Sequence, residues 1–407
     1  MEKYIANLVT LAEQCDCGNH HNPITIEKIS VGKEVLLELV SFLKSKGYKK
    51  PILIADVHTF EAAGVSISKD LTQSNISFSV SLIKPDENND VVADEKSLVQ
   101  ALLEMPQDTD VIIAVGAGTI HDIARFCSAK TAVPFISVPT APSVDGFTSM
   151  GAPLIVRGVK ITYQMTAPIA LFVDIGILKD APKKMIAAGF GDMLAKFTSL
   201  ADWKFDHLVK EEPYCPLVAE ITREALDACM EQVDSIADGD ERGVRILIEA
   251  LIKSGLAMLI FGQSHPASGG EHHLSHYWEM EFLRQKRPAI LHGAKVGVST
   301  SLLAGIYKEK FLPFILDSSR LHSFEDKAIV AKISENLTEI NHVYQQIPES
   351  GQLRRLLEKL SGETIPAQLG IDDELVKASL SEAHNLRKRY TGLKFLNEIN
   401  VQSTLLK

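Results

Sequence analysis

The stretch SGGEHHLSHYWE, Ser268 to Glu279, sets His272, His273 and His276 close together behind a Ser-Gly-Gly turn. Imidazole is the commonest metal ligand and the side chain best suited to proton transfer near neutrality. Helical periodicity separates the three. His272 and His276, four apart, share a face, whereas His273 points about 100° away from His272. His273 is therefore expected to stand off the site, either exposed or packed. Two further residues have the right chemistry in costly places. Asp192 interrupts the apolar helical run AAGFGDMLAKF, and His292 lies in the glycine-punctuated run AILHGAKVG. A carboxylate amid Phe190, Met193, Leu194 and Phe197 is expensive to bury unless it is paired or bound to a cation. One aspartate and two histidines from separate helices make a first shell for a divalent metal that leaves positions open for substrate. The cluster then supplies one histidine to metal and one to substrate, or both to metal.

The amino-terminal half offers a different chemistry, that of holding a phosphate. GAGTIHD, residues 116–122, follows a very apolar run and opens a helix. Gly116 and Gly118 there let main-chain amides approach an anion near the helix dipole. The spacing departs from G-x-G-x-x-G, because position 121 is His121. Asp56, at the end of PILIAD, is placed either to accept the ribose hydroxyls of an adenosine or simply to start a turn. The loop VPTAPSVDGFTS, residues 138–149, carries Thr140, Ser143, Asp145 and Ser149 directly after a buried run, where the ligand crevice of a parallel sheet lies. CDCGNHH, residues 15–21, offers Cys15, Cys17, His20 and His21. Its C-x-C spacing lacks the usual gap and no second ligand pair stands nearby in sequence, so it is not read as a zinc site.

The elements that must position these residues change character along the chain. Apolar runs at 51–57, 77–83, 110–118, 134–140 and 169–178 are bounded by Pro, Gly or Asp. The first four are separated by segments of crossover length such as EKSLVQALLEM and HDIARFCSAK, which predicts a parallel sheet with helices on its faces. GAPLIVRGVKITYQ, residues 151–164, alternates about Gly158 and predicts a hairpin. After Pro182 long helical periodicity takes over, with no strand run. The predicted architecture is an α/β, Rossmann-like dinucleotide-binding domain, 1–182, followed by an all-helical metal- and substrate-binding domain, 183–407, with the active site in the cleft between them.

Composition excludes several functions. The chain has 407 residues, is 45% apolar and carries a net charge of −10, which argues against a nucleic-acid binder. No apolar run approaches the roughly 20 residues of a membrane span. The start MEKYIANLVT does not resemble a secretion signal, and the five cysteines fall in no regular framework. Cytoplasm is the expected compartment.

Taken in order, GAGTIHD, PTAPSVDGFTS, GFGDMLAK, PASGGEHHLSHYWE and LHGAKVG resemble the sn-glycerol-1-phosphate dehydrogenases, in particular their Bacillus-type bacterial branch. That family lies within the superfamily of metal-dependent alcohol dehydrogenases, glycerol dehydrogenases and dehydroquinate synthases. S-G-x-E-H-x-x-S-H separates it from plain glycerol dehydrogenases. Ala117 departs from the glycine usual in the superfamily. The resemblance implies metal ligation by Asp192, His272 and His292, with Asp145, Asp192 and His276 near substrate. It implies dinucleotide contacts from Asp56, from Gly118, Thr119, Ile120, His121 and Asp122, from Thr140, Ala141, Pro142 and Ser143, and from Ser149. It further implies NAD(H), with NADP(H) also used, one nickel, zinc or iron ion per chain, and a homodimer. The implied reaction is reversible reduction of dihydroxyacetone phosphate to sn-glycerol 1-phosphate, feeding lipid synthesis. The substrate phosphate needs cations, and Lys160, Lys196, Arg284, Lys286, Arg287 and Lys295 lie within reach in sequence. The rival readings are a glycerol dehydrogenase or dehydroquinate-synthase-like enzyme on the same scaffold, and a catalytically silent nucleotide and metal sensor.

Overall fold

The computed structural model describes residues 1–399. Its amino-terminal half is built on six parallel strands: β1 (Lys28–Gly32), β2 (Pro51–Ala55), β3 (Ser79–Leu82), β4 (Val111–Gly116), β5 (Phe135–Pro139) and, after an intervening hairpin, β8 (Ala170–Asp174). Their order across the sheet is β1-β8-β5-β4-β2-β3. β2, β4, β5 and β8 are buried along their whole length. Burial on both faces is why their sequences read as unbroken apolar runs rather than as alternation. The chain leaves β2 outward to β3 and then crosses back to β4 on the other side of β2. Strand order therefore reverses between β2 and β4, and a ligand crevice opens beyond their carboxyl ends. Asp56 follows β2 and Ala117 follows β4, one on each side of that point.

The hairpin expected about Gly158 is β6 (Gly151–Val156) with β7 (Val159–Gln164). Arg157 and Gly158 both take positive φ, 52° and 75°, the requirement of a tight turn that matches strand twist. β1 was not expected. It is a sheet-edge strand whose only buried residue is Ile29, and its pairing to β8 runs through main chain in register Lys28 to Ala170, so its apolar signal is weak.

The rest is helical among the described residues. The helices that matter for the site are α1 (Glu2–Gln14), α2 (Gly118–Thr131), α3 (Lys183–Leu194), α4 (Lys196–Lys210), α5 (Pro216–Glu231), α6 (Glu241–Phe261), α7 (Gly270–Arg284) and α8 (His292–Ile306). One large apolar core joins them and draws in Leu8 of α1, Ile26 and Ile29 from the far amino terminus. Residues 400–407, part of the span expected to be helical, lie outside the described residues. Among the described residues no helix is long and apolar enough to cross a membrane.

Candidate metal and dinucleotide site

α7 starts from a main-chain turn with no space to spare. A side-chain carbon on Gly269 would stand 2.8 Å from Asp202 Oδ2 and 2.9 Å from Glu271 Oε2. Asp202 is a buried hub. Its Oδ2 accepts from Gly270 N (2.8 Å) and Tyr307 OH (2.9 Å), and its Oδ1 accepts from Tyr344 OH (2.7 Å) and Gly392 N (2.9 Å). Burial pushes its carboxyl up to about 6. Glu271, also fully buried, accepts from Gly269 N at 2.6 Å and from Thr198 Oγ1 at 2.7 Å. His272 Nδ1 lies 2.8 Å from Glu271 Oε1, the oxygen that accepts from Gly269 N. That oxygen accepts, so Nδ1 carries the proton and the Nε2 lone pair is left to face Asp192 Oδ1, 3.9 Å away.

His292 opens α8, and its Nδ1 is shielded from solvent with no hydrogen-bond partner. The ring centroids of His272, His276 and His292 form a triangle with sides of 5.2, 6.1 and 6.2 Å. Burial holds all three rings well below the ordinary histidine range, so they are neutral and have lone pairs to give. One ligand atom each from Asp192, His272 and His292 falls within 4.8 Å of the others. A wholly buried carboxylate, two neutral imidazoles and an unpartnered ring nitrogen fit a divalent cation with coordination positions to spare.

Asp145 comes from the loop after β5, yet it meets Asp192 of α3 across the crevice. Its N–H donates to Asp192 Oδ2 at 3.0 Å, and its own Oδ2 accepts from Ser254 Oγ at 2.8 Å. Lys196 Nζ bridges the two carboxylates at 2.7 and 3.1 Å. Burial alone would lower the Lys196 pKa, but the two aspartates outweigh it and hold the ammonium above the ordinary lysine range. Lys196 was among the cations expected for a substrate phosphate. The structure corrects that: its charge is already committed to Asp145 and Asp192, and it is fully buried.

A cavity of about 380 Å³ lies against His272, His276 and His292. Its cationic end is formed by Lys160, Lys295, Arg287 and Arg387. Glu279 sits between two of them, 2.8 Å from Lys160 Nζ and 2.9 Å from Lys295 Nζ. Burial would raise its pKa, yet the two lysines hold it well below the carboxylate range. Arg387 donates to Ser268 Oγ at 3.0 Å and stands 3.4 Å from His276 Nδ1. It was not anticipated. It lies in the basic run NLRKRY, more than a hundred residues beyond the histidine segment, and only the fold returns it there. Arg284 and Lys286 are exposed, outside the cavity wall, and Arg284 pairs with Glu281. His273 is the packed alternative: it is fully buried, and neither ring nitrogen has a partner.

The crevice continues past Ala117 and Thr119 into a second cavity of about 890 Å³, which reaches Asp56, Ile120, Thr140 and Ala141. Gly118, Asp122, Ser143 and Ser149 line the first cavity. α2 thus presents its amino terminus to the junction of the two. Ala117 has φ −92°, a value open to any residue, so its departure from glycine carries no backbone cost. Asp56 Oδ1 accepts from His58 N and Thr59 N, both at 2.9 Å, capping the short helix that follows. Two expected dinucleotide contacts lie elsewhere. The His121 ring turns into the sheet, with Nδ1 2.9 Å from Ala117 O and Nε2 2.6 Å from Ser137 Oγ, and burial lowers it to about 3. Pro142 packs its carbonyl against Gly189 of α3. Asp122 is pushed up to about 7 by burial, although Arg125 lies 2.9 Å away.

A family profile described as iron-containing alcohol dehydrogenase matches residues 30–182. A glycerol-1-phosphate dehydrogenase, NAD(P)+, of Geobacillus stearothermophilus is 53% identical over 400 residues, covering 98% of this chain and 99% of the relative. The protein of the same name in Pyrococcus furiosus is 32% identical over 370 residues, 90% and 92% of the two chains. Among solved structures, glycerol dehydrogenase from Schizosaccharomyces pombe superposes with TM-score 0.65 at 17% identity, covering 97% of this chain and 92% of that one. At that identity the likeness speaks for the fold.

Proposed function

Because the chain belongs to the glycerol-1-phosphate dehydrogenase family, we infer that it reversibly reduces dihydroxyacetone phosphate to sn-glycerol 1-phosphate with a nicotinamide cofactor and a divalent metal. The observation that carries the reading is one cavity lined by His272 and His292, whose ring nitrogens lie within 4.8 Å of an Asp192 oxygen, and by Lys160, Lys295 and Arg387.

Asp192, His272 and His292 would hold the metal, which would supply Lewis acidity for reduction of the ketone. Glu271 fixes the proton of His272 on Nδ1 and so orients the ring. Arg387 is always a donor, so His276 Nδ1 accepts from it and the His276 proton sits on Nε2, from which it can orient a substrate hydroxyl. Lys196 Nζ pairs with both Asp145 and Asp192 and holds the two carboxylates side by side. Arg387, Lys160 and Lys295 take the phosphate, Glu279 tempering the two lysines. The α2 amino terminus receives the pyrophosphate, with Gly118, Thr119, Asp122, Ser143 and Ser149 around it and Asp56 at the adenosine end. Two imidazoles and one carboxylate suit nickel or zinc ahead of ferrous iron, which binds such sites less tightly.

The division near residue 182 is supported by the end of β8 at Asp174 and by Pro182 leading into α3. A homodimer is supported by the sheet edge at β3, where Leu82, Val99 and Leu103 are exposed together. Gln100 Nε2 donates to Leu82 O and so ties the helix Glu95–Glu104, which carries Val99 and Leu103, to the strand. The free cysteines are consistent with a cytoplasmic setting.

The test is NADH oxidation by the metal-loaded protein with dihydroxyacetone phosphate and with dihydroxyacetone. The phosphorylated ketone should win by roughly 10²-fold or more in kcat/KM. Equal turnover would favour a glycerol dehydrogenase, and no turnover of either would favour a sensor.

A further inference from the structure

Four side chains from two distant stretches converge where the amino-terminal segment crosses the helical half. Cys15 and Cys17 follow α1, His21 stands four residues beyond Cys17, and Cys215 immediately precedes Pro216, the first residue of α5. Cys15 Sγ and Cys215 Sγ are 3.7 Å apart. His21 Nε2 lies 3.5 Å from Cys17 Sγ and 3.3 Å from Cys215 Sγ. All four ligand atoms fall within 4.8 Å of one another. With zinc–sulfur bonds of about 2.3 Å and zinc–nitrogen bonds of about 2.0 Å, a tetrahedron has sulfur–sulfur edges of about 3.8 Å and sulfur–nitrogen edges of about 3.5 Å. The short separations are the edges of such a tetrahedron. They are not a disulfide, whose sulfurs sit about 2.05 Å apart.

Sequence reading set CDCGNHH aside because it showed only one side of a ligand set. The fold supplies the other side, Cys215, and leaves His20 outside, exposed. Gly18, at φ 78°, lets the segment turn back on itself. His21 is prepared for ligation: its Nδ1 is 3.1 Å from Ala12 O, and a carbonyl can only accept, so the proton sits on Nδ1 and the Nε2 lone pair faces the sulfurs. Asn19 Nδ2 donates to Tyr214 O at 2.8 Å and lies 3.4 Å from Cys17 Sγ, which places an N–H beside that sulfur.

We propose that Cys15, Cys17, His21 and Cys215 form a closed structural zinc site, separate from the Asp192, His272 and His292 group. Four protein ligands leave no position for substrate, so the site clamps rather than catalyses. Three thiolates make it a softer donor set than the carboxylate and imidazoles of the other group, and they favour zinc there whatever ion the other group holds. The clamp fastens the segment after α1 to the start of α5. Just beyond it Asn22 bonds to Leu259 O and Ile260 O at the end of α6. The inference stands apart from the proposed reaction.

The test uses full-length protein prepared anaerobically under reducing conditions and loaded with zinc or cobalt. Cobalt-loaded parent should show thiolate-to-cobalt charge transfer, which the sulfur-free Asp192, His272 and His292 group does not produce. Cys17→Ser should abolish that band and lower zinc content by roughly one equivalent per chain. It should also reduce the melting temperature by roughly 5 °C or more, while turnover well below that temperature stays near the parent value. Cys215→Ser, at a buried position, is the second variant. The parent's own spectrum decides the matter if either variant fails to fold. No charge-transfer band in the parent, an unchanged zinc content in Cys17→Ser, or a Cys15–Cys215 disulfide in the anaerobic protein would each overturn the proposal.

Discussion

Gly191 of α3 and Gly293 of α8 meet main chain to main chain: a side-chain carbon on Gly191 would collide with the carbonyl oxygen of Gly293. The neighbouring residues Asp192 and His292 reach the same point because nothing larger than hydrogen separates their helices. Gly191→Ala should cost roughly 1–3 kcal/mol of stability through overpacking and should weaken metal retention by moving Asp192 from His292. Denaturant unfolding and metal content after dialysis measure both. A variant with parent stability and full metal would show that the helices can spread freely.

The three histidines of the opening segment should separate by phenotype. His272→Ala should lose metal and activity together. His276→Ala should keep metal and NADH affinity but lose roughly 10²-fold in kcat/KM for dihydroxyacetone phosphate. His273→Ala should keep metal and low-temperature turnover yet lose roughly 2–4 kcal/mol of stability, because it empties a fully buried volume. Metal loss in the His276 variant would make His276 a ligand instead.

Arg387 distinguishes a phosphate anchor from a packing residue. Arg387→Lys should raise KM for dihydroxyacetone phosphate roughly tenfold, because a point charge replaces a fork, and should weaken inhibition by inorganic phosphate in parallel. KM for NADH should not move. A fall in kcat alone, with both KM values intact, would place the role of Arg387 at His276.

Asp56→Ser isolates charge at the adenosine end, because serine can still cap the short helix that Asp56 now caps. The ratio of NADH to NADPH efficiency should fall severalfold as repulsion of a 2′-phosphate is removed. An unchanged ratio would mean that Asp56 is a capping residue only.

His121 gives the stability curve an acid limb. Its folded-state pKa of about 3 lies below the ordinary histidine value. Below about pH 6.5 the unfolded chain therefore takes up a proton that the native chain refuses. This contribution is complete above about pH 6.5 and is lost toward pH 3 at about 1.4 kcal/mol per pH unit. Asp122 and Asp202, raised by burial to about 7 and about 6, act in the opposite sense, losing stability as pH rises toward those values. The parent curve is thus a sum. The difference in stability between parent and His121→Gln, followed by urea unfolding between about pH 4 and 6, should have a slope of about one proton. Parallel curves would mean that the His121 ring protonates inside the fold.

What could be read in advance followed from local periodicity. β2, β4, β5 and β8 announce themselves because strands buried on both faces must be apolar throughout. Asp192, His272 and His292 stand out because each violates the pattern of its own helix. Glu271, in contrast, looks like any acidic residue in a helix's first turn, and only the fold surrounds it with Gly269 N, Thr198 and His272. Arg387 and Cys215 are ordinary where they stand in sequence, and their partners lie more than a hundred residues away. β1 was missed because an edge strand with one buried residue has almost no hydropathy signal. His121 and Pro142 were expected at the crevice because their neighbours are. His121, however, lies in a helix's first turn, where adjacent residues point in different directions, and its ring ends in the sheet; Pro142 lies in the loop after β5 and its carbonyl ends on α3.

The Asp202 hub has a consequence for synthesis on the ribosome. The turn that aims His272 is fixed by a carboxylate whose four partners span Gly270 to Gly392. The six strands of the sheet are complete once β8 has been made. The metal-binding turn cannot be locked until Gly392 has left the exit tunnel. A nascent chain stalled before Gly392 would therefore carry a finished parallel sheet beside a loose histidine turn.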